Sequence, residues 1–381
     1  MPLIPTQYLD KPKNNEVEIT LFGNGYGESI VIYIPEVGWG IIDSFQTEIE
    51  GRTIIPPLEY LKELLYPDYP RLAFILLTHP HEDHYLGFDN ILRDYPGGIE
   101  KIYWYQGDGI RELKVYWLQQ KIANNGVLPN YSRIHEAIRK AIKQGVTERR
   151  LSELTEVVDK RHIKIDNYGY TDISIKALSP GASAERKYVE LLHKAITDIK
   201  QGKPVFQLND HSHNLLSVAL YITLGDLKIL LGSDVENTHG DDTAWQGILH
   251  NTGVNLSAQL VKVSHHGSKN GYYKKAWDMH CEDTKPIAII APYNRTSSAL
   301  PNSALINELK GKCKNVGVSG TVEESKTLTK HYKRNVATAI KYTTRSFRVL
   351  TKPKSVGFIR NRFLLSGTVQ ESVAIAPAKW L

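Results

Sequence analysis

A histidine-rich turn that directly follows an apolar run most constrains what this chain can fold into. Residues 72–77 read Leu-Ala-Phe-Ile-Leu-Leu, a short apolar run that is typical of a buried strand. Pro80 cannot continue the hydrogen-bonded ladder of a sheet, so residues 78–84, Thr-His-Pro-His-Glu-Asp-His, follow the strand as a turn. Imidazole and carboxylate groups are common ligands of zinc and its neighbours. The sequence therefore predicts a metal site at the end of a buried strand.

The spacing in this turn resembles a known family. His79-x-His81-x-Asp83-His84 matches the HxHxDH signature of the metallo-β-lactamase fold. The chain also opens with a strand, a glycine-rich turn (residues 23–29), a second strand and a strand that ends at Asp43, which is similar to the opening of ComEC-type hydrolase domains. The resemblance implies an α/β protein with an αββα sandwich. It also implies that Asp43 orients a ligand histidine without binding metal itself; an ordinary strand-end turn aspartate is the alternative.

Two later motifs extend the resemblance. A polar loop at residues 209–214, Asn-Asp-His-Ser-His-Asn, precedes one predicted strand, and the strand after it carries Asp234 at its end. A third strand leads into His265-His266-Gly267-Ser268-Lys269, which resembles the HHGS ending of ComEC-type and related phosphodiesterase domains. The order of these motifs along the chain is that expected for the later metal ligands of the fold.

The resemblance implies a complete set of ligands for two divalent ions, with zinc as the first choice and manganese as the alternative. The first ion is assigned to His79, His81 and His213, the second to Asp83, His84 and His265, and Asp234 contacts both. His211 competes with His213, because residues two apart on an extended chain face the same side. Water in place of either histidine is a further alternative.

The same motifs suggest how the reaction proceeds. Two ions can activate a bridging hydroxide to attack phosphorus, so that no side-chain nucleophile is needed. We assign Asp83 and His266 to catalysis and Ser268 and Lys269 to substrate binding, since such groups hold a phosphate or protonate a leaving oxygen. The leading hypothesis is a metal-dependent hydrolase of phosphodiester bonds, in particular a nuclease. The alternatives are a small-molecule hydrolase acting on a cyclic nucleotide or lactone, and a non-catalytic module that binds nucleic acid or protein.

Basic residues are concentrated late in the chain and favour nucleic acid as the substrate. The net charge is +6 over 381 residues. Between Lys310 and Arg362 only Glu323 and Glu324 oppose a run of cations. These cations are Lys312, Lys314, Lys326, Lys330, Lys333, Arg334, Lys341, Arg345, Arg348, Lys352, Lys354 and Arg360. A solvated surface with no partner is the alternative interpretation.

The remaining sequence sets the domain organisation and the compartment. We expect a metallo-β-lactamase-like domain over residues 15–320, interrupted by a helical insertion at 109–170, and a basic extension with a small β element at 321–381. No apolar run approaches the roughly 20 residues of a membrane helix, so no membrane partner is expected. Two cysteines without metal-binding spacing and no leader-like segment favour the cytoplasm. A protein partner or a homo-oligomer stays open.

Overall fold

Two large sheets form the centre of the molecule. The computed structural model describes residues 4–106, 114–116, 130–201, 210–237, 242–283, 285–294, 299–322 and 355–381. Their strands, in chain order, are β1 (Glu16–Phe22), β2 (Ser29–Ile34), β3 (Gly38–Ile42), β4 (Thr47–Ile49), β5 (Arg52–Ile54), β6 (Phe74–Leu76), β7 (Lys101–Trp104), β8 (Thr147–Arg150), β9 (Glu156–Ile165), β10 (Gly169–Ala177), β11 (Leu220–Leu224), β12 (Leu227–Leu231), β13 (Leu260–Lys262), β14 (Ile287–Ile290), β15 (Asn315–Val318), β16 (Phe358–Leu364), β17 (Val369–Ile375) and β18 (Lys379–Trp380).

The helices of the described residues cover the outer faces of the sheets. They are α1 (Pro56–Leu65), α2 (Glu82–Tyr85), α3 (Phe88–Asp94), α4 (Asn130–Lys143), α5 (Ala182–Lys200), α6 (Asp210–Asn214), α7 (Ala244–Thr252), α8 (Lys274–Asp283) and α9 (Ser303–Lys312). Buried residues of α1, α3, α4 and α5 pack in one cluster with the first sheet, and those of α7, α8 and α9 pack in another with the second sheet. In α4 the apolar spacing of Ile134, Ile138 and Ala141 provides the face that packs.

Alternation of apolar residues along the strands explains the two layers of sheet. In β1, Val17, Ile19 and Leu21 enter a core that also contains Leu220 and Ile222 of β11, so the two sheets pack face to face. Phe22 and Val31 enter the core under the helices of the first sheet, because successive side chains point to opposite faces. The layer order is helix, sheet, sheet, helix, and the predicted αββα sandwich is confirmed.

Strand order places the ends of the parallel strands together. Within the described residues the first sheet runs β17-β16-β1-β2-β3-β6-β7-β8, and the second runs β18-β15-β14-β13-β12-β11-β10-β9. The first sheet changes from antiparallel to parallel pairing at β3, and the second changes at β12 and back again at β15. Loops that leave the carboxyl ends of such strands are where α/β folds build their sites.

The segment predicted as a helical insertion contains both helix and strand. Residues 107–113 and 117–129 of this region lie outside the described residues. Helix α4 follows, but β8 extends the first sheet by parallel pairing with β7, and β9 forms the edge of the second sheet beside β10. The helical prediction thus fits α4 and not residues 147–165. The difference arises because β9 and β10 form a long hairpin whose pairing is not visible in the apolar spacing of either strand alone.

The last strands of the chain belong to both sheets. The sequence suggested that residues 355–365 pair with residues 337–350, which lie outside the described residues. Instead, β16 pairs antiparallel with β1, in register from Glu16 opposite Leu364 to Phe22 opposite Phe358, and β18 pairs with β15. The division at residue 320 stays a prediction, but the described strands after it complete the sandwich.

Two of the late basic residues serve this closure. Arg360 is fully buried and pairs with Asp10 and Glu371, while Arg362 donates to Glu18 from Nε at 2.9 Å. Their charges are therefore compensated inside the protein. The basic residues from Lys326 to Lys354 lie outside the described residues. None of the helices in the described part of the chain combines the length and apolar character that a membrane crossing requires.

Candidate metal centre

The predicted histidine turn lies between the two sheets, at their carboxyl-terminal edge. Strand β6 ends at Leu76 and α2 begins at Glu82, so His79 and His81 lie on the intervening turn, as the sequence predicted. Loops that follow β3, β12 and β13 carry Asp43, Asp234 and the residues after Lys262 to the same place. Parallel pairing of β3 with β6, and of β12 with β13, brings these loop starts together.

Asp43 holds the turn and one of its histidines. Its Oδ1 accepts a hydrogen bond from the Thr78 backbone N–H at 2.7 Å, and its Oδ2 accepts from the Thr78 hydroxyl at 2.7 Å. The same Oδ2 lies 2.7 Å from Nδ1 of His84. With Nδ1 engaged, Nε2 of His84 is the nitrogen that faces the centre. These contacts are those that the proposed supporting role of Asp43 requires, and the residue adopts a φ of 59° to make them.

A first group of ligand atoms gathers around the histidine turn. Single ligand atoms of His79, His81, His84 and Asp234 all lie within 4.8 Å of one another. His79 is 1% exposed, its Nδ1 contacts the Thr78 hydroxyl at 3.0 Å, and its buried Nε2 has no hydrogen-bonding partner among the described residues. Metal-binding histidines are commonly hydrogen-bonded at one ring nitrogen and leave the other nitrogen to the metal, and the His79 ring has this arrangement.

A second group has the dimensions of a tetrahedral ion site. Oδ2 of Asp83 lies 2.9 Å from Nε2 of His266 and 3.7 Å from Nε2 of His84. Oδ2 of Asp234 lies 3.4 Å from Nε2 of His84 and 3.5 Å from Nε2 of His266. Four ligands about 2.1 Å from a tetrahedral zinc ion are about 3.4 Å apart. Three of these four distances, 3.4, 3.5 and 3.7 Å, are close to that separation, and the fourth, 2.9 Å between Asp83 and His266, is a hydrogen-bond distance.

His266 occupies the place in this group that the sequence analysis gave to His265. Both residues adopt left-handed backbone conformations, with φ of 49° at His265 and 54° at His266, so the chain reverses sharply after β13. The reversal buries His266 against Asp83, while Nδ1 of His265 faces Glu236 at 3.4 Å. Two consecutive left-handed residues other than glycine are costly and cluster at functional sites. The structure thus brings His266, and not His265, to the carboxylates of Asp83 and Asp234, while the roles of the two histidines stay a prediction.

The remaining predicted residues surround the groups without joining them. Nδ1 of His213 lies 3.3 Å from the Tyr188 hydroxyl, and its ring centre is 6.5 Å from that of His81. The His211 side chain lies outside the described residues. The Ser268 hydroxyl accepts from the Gly271 backbone N–H within its own turn, and Lys269 is exposed. Neither of these last two residues has a described contact with the ligand groups.

Two functional residues escaped the sequence analysis. Glu28 and Lys262 are both buried beside the second group, and their side chains pair at 2.5 Å between Oε1 and Nζ. A signal was present in each case: Glu28 is a charged residue between a glycine-rich turn and an apolar strand, and Lys262 is a lysine inside the apolar run Leu260–Val263. Charged residues are almost never fully buried unless they are paired.

Buried charges shift the titration of the centre in opposite directions. Burial alone would raise the pKa of Asp83 and of Asp234, but the neighbouring histidines outweigh it and hold both values well below the ordinary range. Burial would lower the pKa of His266, but Asp234 and Asp83 raise it to about 9, and His84 is likewise raised well above its usual value. Burial holds the pKa of His79 well below that of a free imidazole. The acidic residues are therefore ionised and ready to bind a cation.

Orphaned polar atoms show that the residues fit a metal ion. Buried atoms without a hydrogen-bonding partner among the described residues include Nε2 of His79, Nε2 of His84 and both carboxylate oxygens of Asp234. Such atoms are rare in folded proteins and call for a missing partner. Nitrogen and carboxylate oxygen in this proportion suit zinc, and also manganese.

Stabilisation of the protein by zinc is expected to increase with pH. The raised pKa of His266 stabilises the ion-free fold below about pH 6.5, the value of a free imidazole, and this contribution is lost as the pH rises through about 9. Metal ions bind only the deprotonated imidazole. Urea unfolding with and without zinc, at about pH 6.5 and about pH 8.5, should show a larger zinc-dependent gain at the higher pH. An equal gain at both values would contradict the assignment of His266 to the ion site.

Comparison with known proteins finds similar solved structures but no matching sequence. No family model matches the sequence, and no curated protein matches it. Among solved structures the chain is similar to zinc-bound PqqB from Methylobacterium extorquens, with 9% sequence identity and a TM-score of 0.41 over 81% of this chain and 98% of that chain.

The architecture itself identifies the fold. Two sheets packed face to face carry helices on their outer faces, and the HxHxDH turn lies between them with a strand-end aspartate opposite. The chain has the metallo-β-lactamase fold. Its cluster of histidine and aspartate ligands is typical of the metal-dependent hydrolases built on this fold.

Proposed function

We propose that this metallo-β-lactamase-fold protein is a metal-dependent hydrolase of phosphodiester bonds, and specifically a nuclease. The observation that carries the proposal is that His84 and Asp234 lie in both ligand groups, with buried ligand atoms of His79, His84 and Asp234 that have no hydrogen-bonding partner among the described residues. The hydrolase class rests on this cluster. The choice of a phosphodiester rests on the HHGS-like turn and on the basic residues late in the sequence.

The two groups divide the ligands between two ions, with zinc as the first choice. His79, His81 and Asp234 would hold the first ion, with His213 beside them as the remaining ligand. Asp83, His84, His266 and Asp234 would hold the second. Ions bound in such a pair activate water and neutralise charge on a phosphoryl oxygen.

The protein's own residues prepare the centre for this chemistry. Asp43 fixes the tautomer of His84, because its carboxylate can only accept the proton carried on Nδ1. The backbone carbonyl of Ala291, 3.1 Å from Nδ1 of His266, does the same for that ring. When each ring is neutral, its proton therefore lies on Nδ1 and its Nε2 is available to an ion. Burial of the group keeps these interactions strong, because little water competes with them.

His265 is better placed than His266 to deliver a proton to the leaving oxygen. The His265 side chain retains 15% exposure, whereas that of His266 retains 2% and faces two carboxylates. Glu236 lies beside Nδ1 of His265, and the Asn214 amide lies 3.5 Å from Nε2. A histidine held by a carboxylate at the mouth of a site is a common arrangement for general acid catalysis.

A broad hydrolysis assay tests the proposal. Protein loaded with zinc or manganese is incubated with single- and double-stranded DNA, RNA, a cyclic nucleotide and a lactone. We expect cleavage of at least one nucleic acid, lost in Asp83→Ala and retained in Asp68→Ala, a matched change at an exposed aspartate. Binding through phosphate contacts should weaken as salt increases.

The outcomes separate the candidate functions. If the Asp83→Ala variant cleaves nucleic acid as fast as the wild type, the activity comes from a contaminant and the proposal has no support. Turnover of the cyclic nucleotide or the lactone alone would replace the nuclease by a small-molecule hydrolase. Metal-loaded protein that cleaves nothing but binds nucleic acid would indicate the non-catalytic module.

A further inference from the structure

A buried ammonium group lies directly behind the metal centre. Lys262 is fully buried at the end of β13, and its Nζ donates to the Ser233 backbone carbonyl at 2.9 Å. The same nitrogen lies 2.5 Å from Oε1 of Glu28 and 3.9 Å from Oδ1 of Asp234. The Ser233 carbonyl and the Glu28 carboxylate accept from two of the three N–H donors of the lysine, and Asp234 Oδ1 lies close by without accepting a hydrogen bond. The ammonium is therefore surrounded by oxygen atoms, as a bound cation would be.

The residues around this ammonium also have the spacing of a metal site. Single ligand atoms of Glu28, His84, Asp234 and His266 lie within 4.8 Å of one another. Glu28 faces the Nδ1 side of both histidines, at 3.9 Å from His84 and 3.5 Å from His266. The ion groups described above use the opposite Nε2 side of these rings. Both Nδ1 atoms are engaged by Asp43 and the Ala291 carbonyl, so the oxygens of Glu28, Ser233 and Asp234 form a third cation position, which the Lys262 ammonium fills.

Charge balance explains why a permanent cation is needed there. Glu28, Asp43, Asp83 and Asp234 are all buried within the cluster. The Lys262 ammonium contacts Glu28 directly and lies near Asp234, so it compensates carboxylate charge on the side of the cluster that faces away from the ion groups. An unpaired buried carboxylate such as Glu28 would otherwise be strongly destabilising.

We propose that Lys262 is a resident cation that fills the pocket between Glu28 and Asp234 and positions the Asp234 carboxylate for the ions in front of it. The inference deepens the proposed function, since it concerns the carboxylate shared by both ion groups. Lys262 is a positioning residue in this account, because it acts through Asp234 and the Ser233 carbonyl. Its pocket is predicted to accept a divalent ion once the ammonium is removed.

Metal counting tests this proposal without any activity assay. Wild-type protein, Lys262→Ala and Glu28→Gln/Lys262→Ala are equilibrated with excess zinc or manganese, dialysed, and analysed for metal per chain. We expect Lys262→Ala to hold one ion more than the wild type, and the double variant to lose that extra ion because the carboxylate that binds it is gone. The double variant should also bind the wild-type ions roughly 10–100-fold more weakly, since the support of Asp234 is missing.

Thermal unfolding supplies the second measurement. Divalent ions should raise the melting temperature of Lys262→Ala more than that of the double variant, because only the single variant offers an anionic pocket. An unchanged metal count in Lys262→Ala, or an equal gain in both variants, would overturn the proposal. So would a Lys262→Ala chain that does not fold and that divalent ions fail to restore.

The test separates this proposal from the proposed function. Wild-type protein that binds no ion would end the metal hydrolase proposal. The resident-cation proposal would still be supported if Lys262→Ala then bound one ion. Conversely, the wild type and the Lys262→Ala variant could each bind the same two ions. That result would contradict the proposed role of Lys262 and leave the metal hydrolase proposal intact.

Discussion

Replacing Asp234 with asparagine is expected to abolish metal-dependent hydrolysis and to remove most of the metal from the protein. Asp234 belongs to both ligand groups, and neither of its buried oxygens has a hydrogen-bonding partner among the described residues. Losing a residue that supports a ligand from behind costs roughly 10–100-fold in metal affinity. Losing a ligand shared by two ions should exceed that range. Elemental analysis after dialysis, together with calorimetric titration of zinc, measures the loss.

Substitutions at two other aspartates provide comparisons for the zinc affinity of Asp234→Asn. Asp43→Asn removes the carboxylate behind His84 and should weaken zinc binding within the roughly 10–100-fold range. Asp226→Asn changes an exposed turn residue just before β12, at the end of this strand that lies away from Asp234. This variant should leave the zinc affinity unchanged. Full zinc content in Asp234→Asn would show that the shared carboxylate is assigned to the wrong residue.

The second large effect concerns stability rather than chemistry. Replacing Arg362 with methionine is expected to lower the free energy of unfolding by about 3–5 kcal/mol, the usual cost of removing one partner of a buried ion pair. Glu18 is fully buried and receives two contacts from Arg362, at 2.9 Å from Nε and 2.8 Å from Nη2. Without Arg362, the Glu18 carboxylate retains only hydroxyl donors, from Thr20 and Tyr60. Urea unfolding measures the change.

A charge-neutral variant provides the control for this prediction. Glu18→Gln/Arg362→Met removes both partners, and replacing a whole buried pair by uncharged residues is often neutral. We expect most of the lost stability to return. A double variant as unstable as Arg362→Met alone would show that the arginine acts through Asp10 and Glu371, its other partners, and not through Glu18.

The centre was predictable from sequence wherever the signal is local. One turn and the start of the helix after it carry four of the assigned ligands: His79, His81, Asp83 and His84. Pro80, which follows an apolar run, predicts that turn. Asp234 was assigned from the resemblance to the metallo-β-lactamase fold, and its position shortly after β12 agrees with that assignment. Residues that follow the end of a strand lie at the edge of a sheet, where α/β folds build their sites.

Other parts of the centre depend on geometry that the sequence does not contain. His265 and His266 are adjacent and chemically identical, and a backbone reversal of two residues decides which one is buried. The pairing of Glu28 with Lys262 joins the turn before β2 of the first sheet to β13 of the second sheet. Neither residue reveals its partner by spacing. The late basic residues were interpreted as a surface for nucleic acid, but Arg360 and Arg362 form ion pairs inside the protein. Their burial follows from the pairing of β16, which the sequence does not reveal.

The pairing of β1 with β16 has a consequence for synthesis of the protein. Glu16 lies opposite Leu364, so one edge of β1 has no partner until almost the whole chain has been made. At about 5–20 residues per second on the ribosome, that edge waits roughly 20–70 s. An exposed strand edge invites pairing with other chains, and a charged residue that points inward is one protection against it. Glu18 is such a residue. In the finished fold Arg362 neutralises its carboxylate, and before Arg362 has been synthesised the same charge opposes pairing of β1 with other chains.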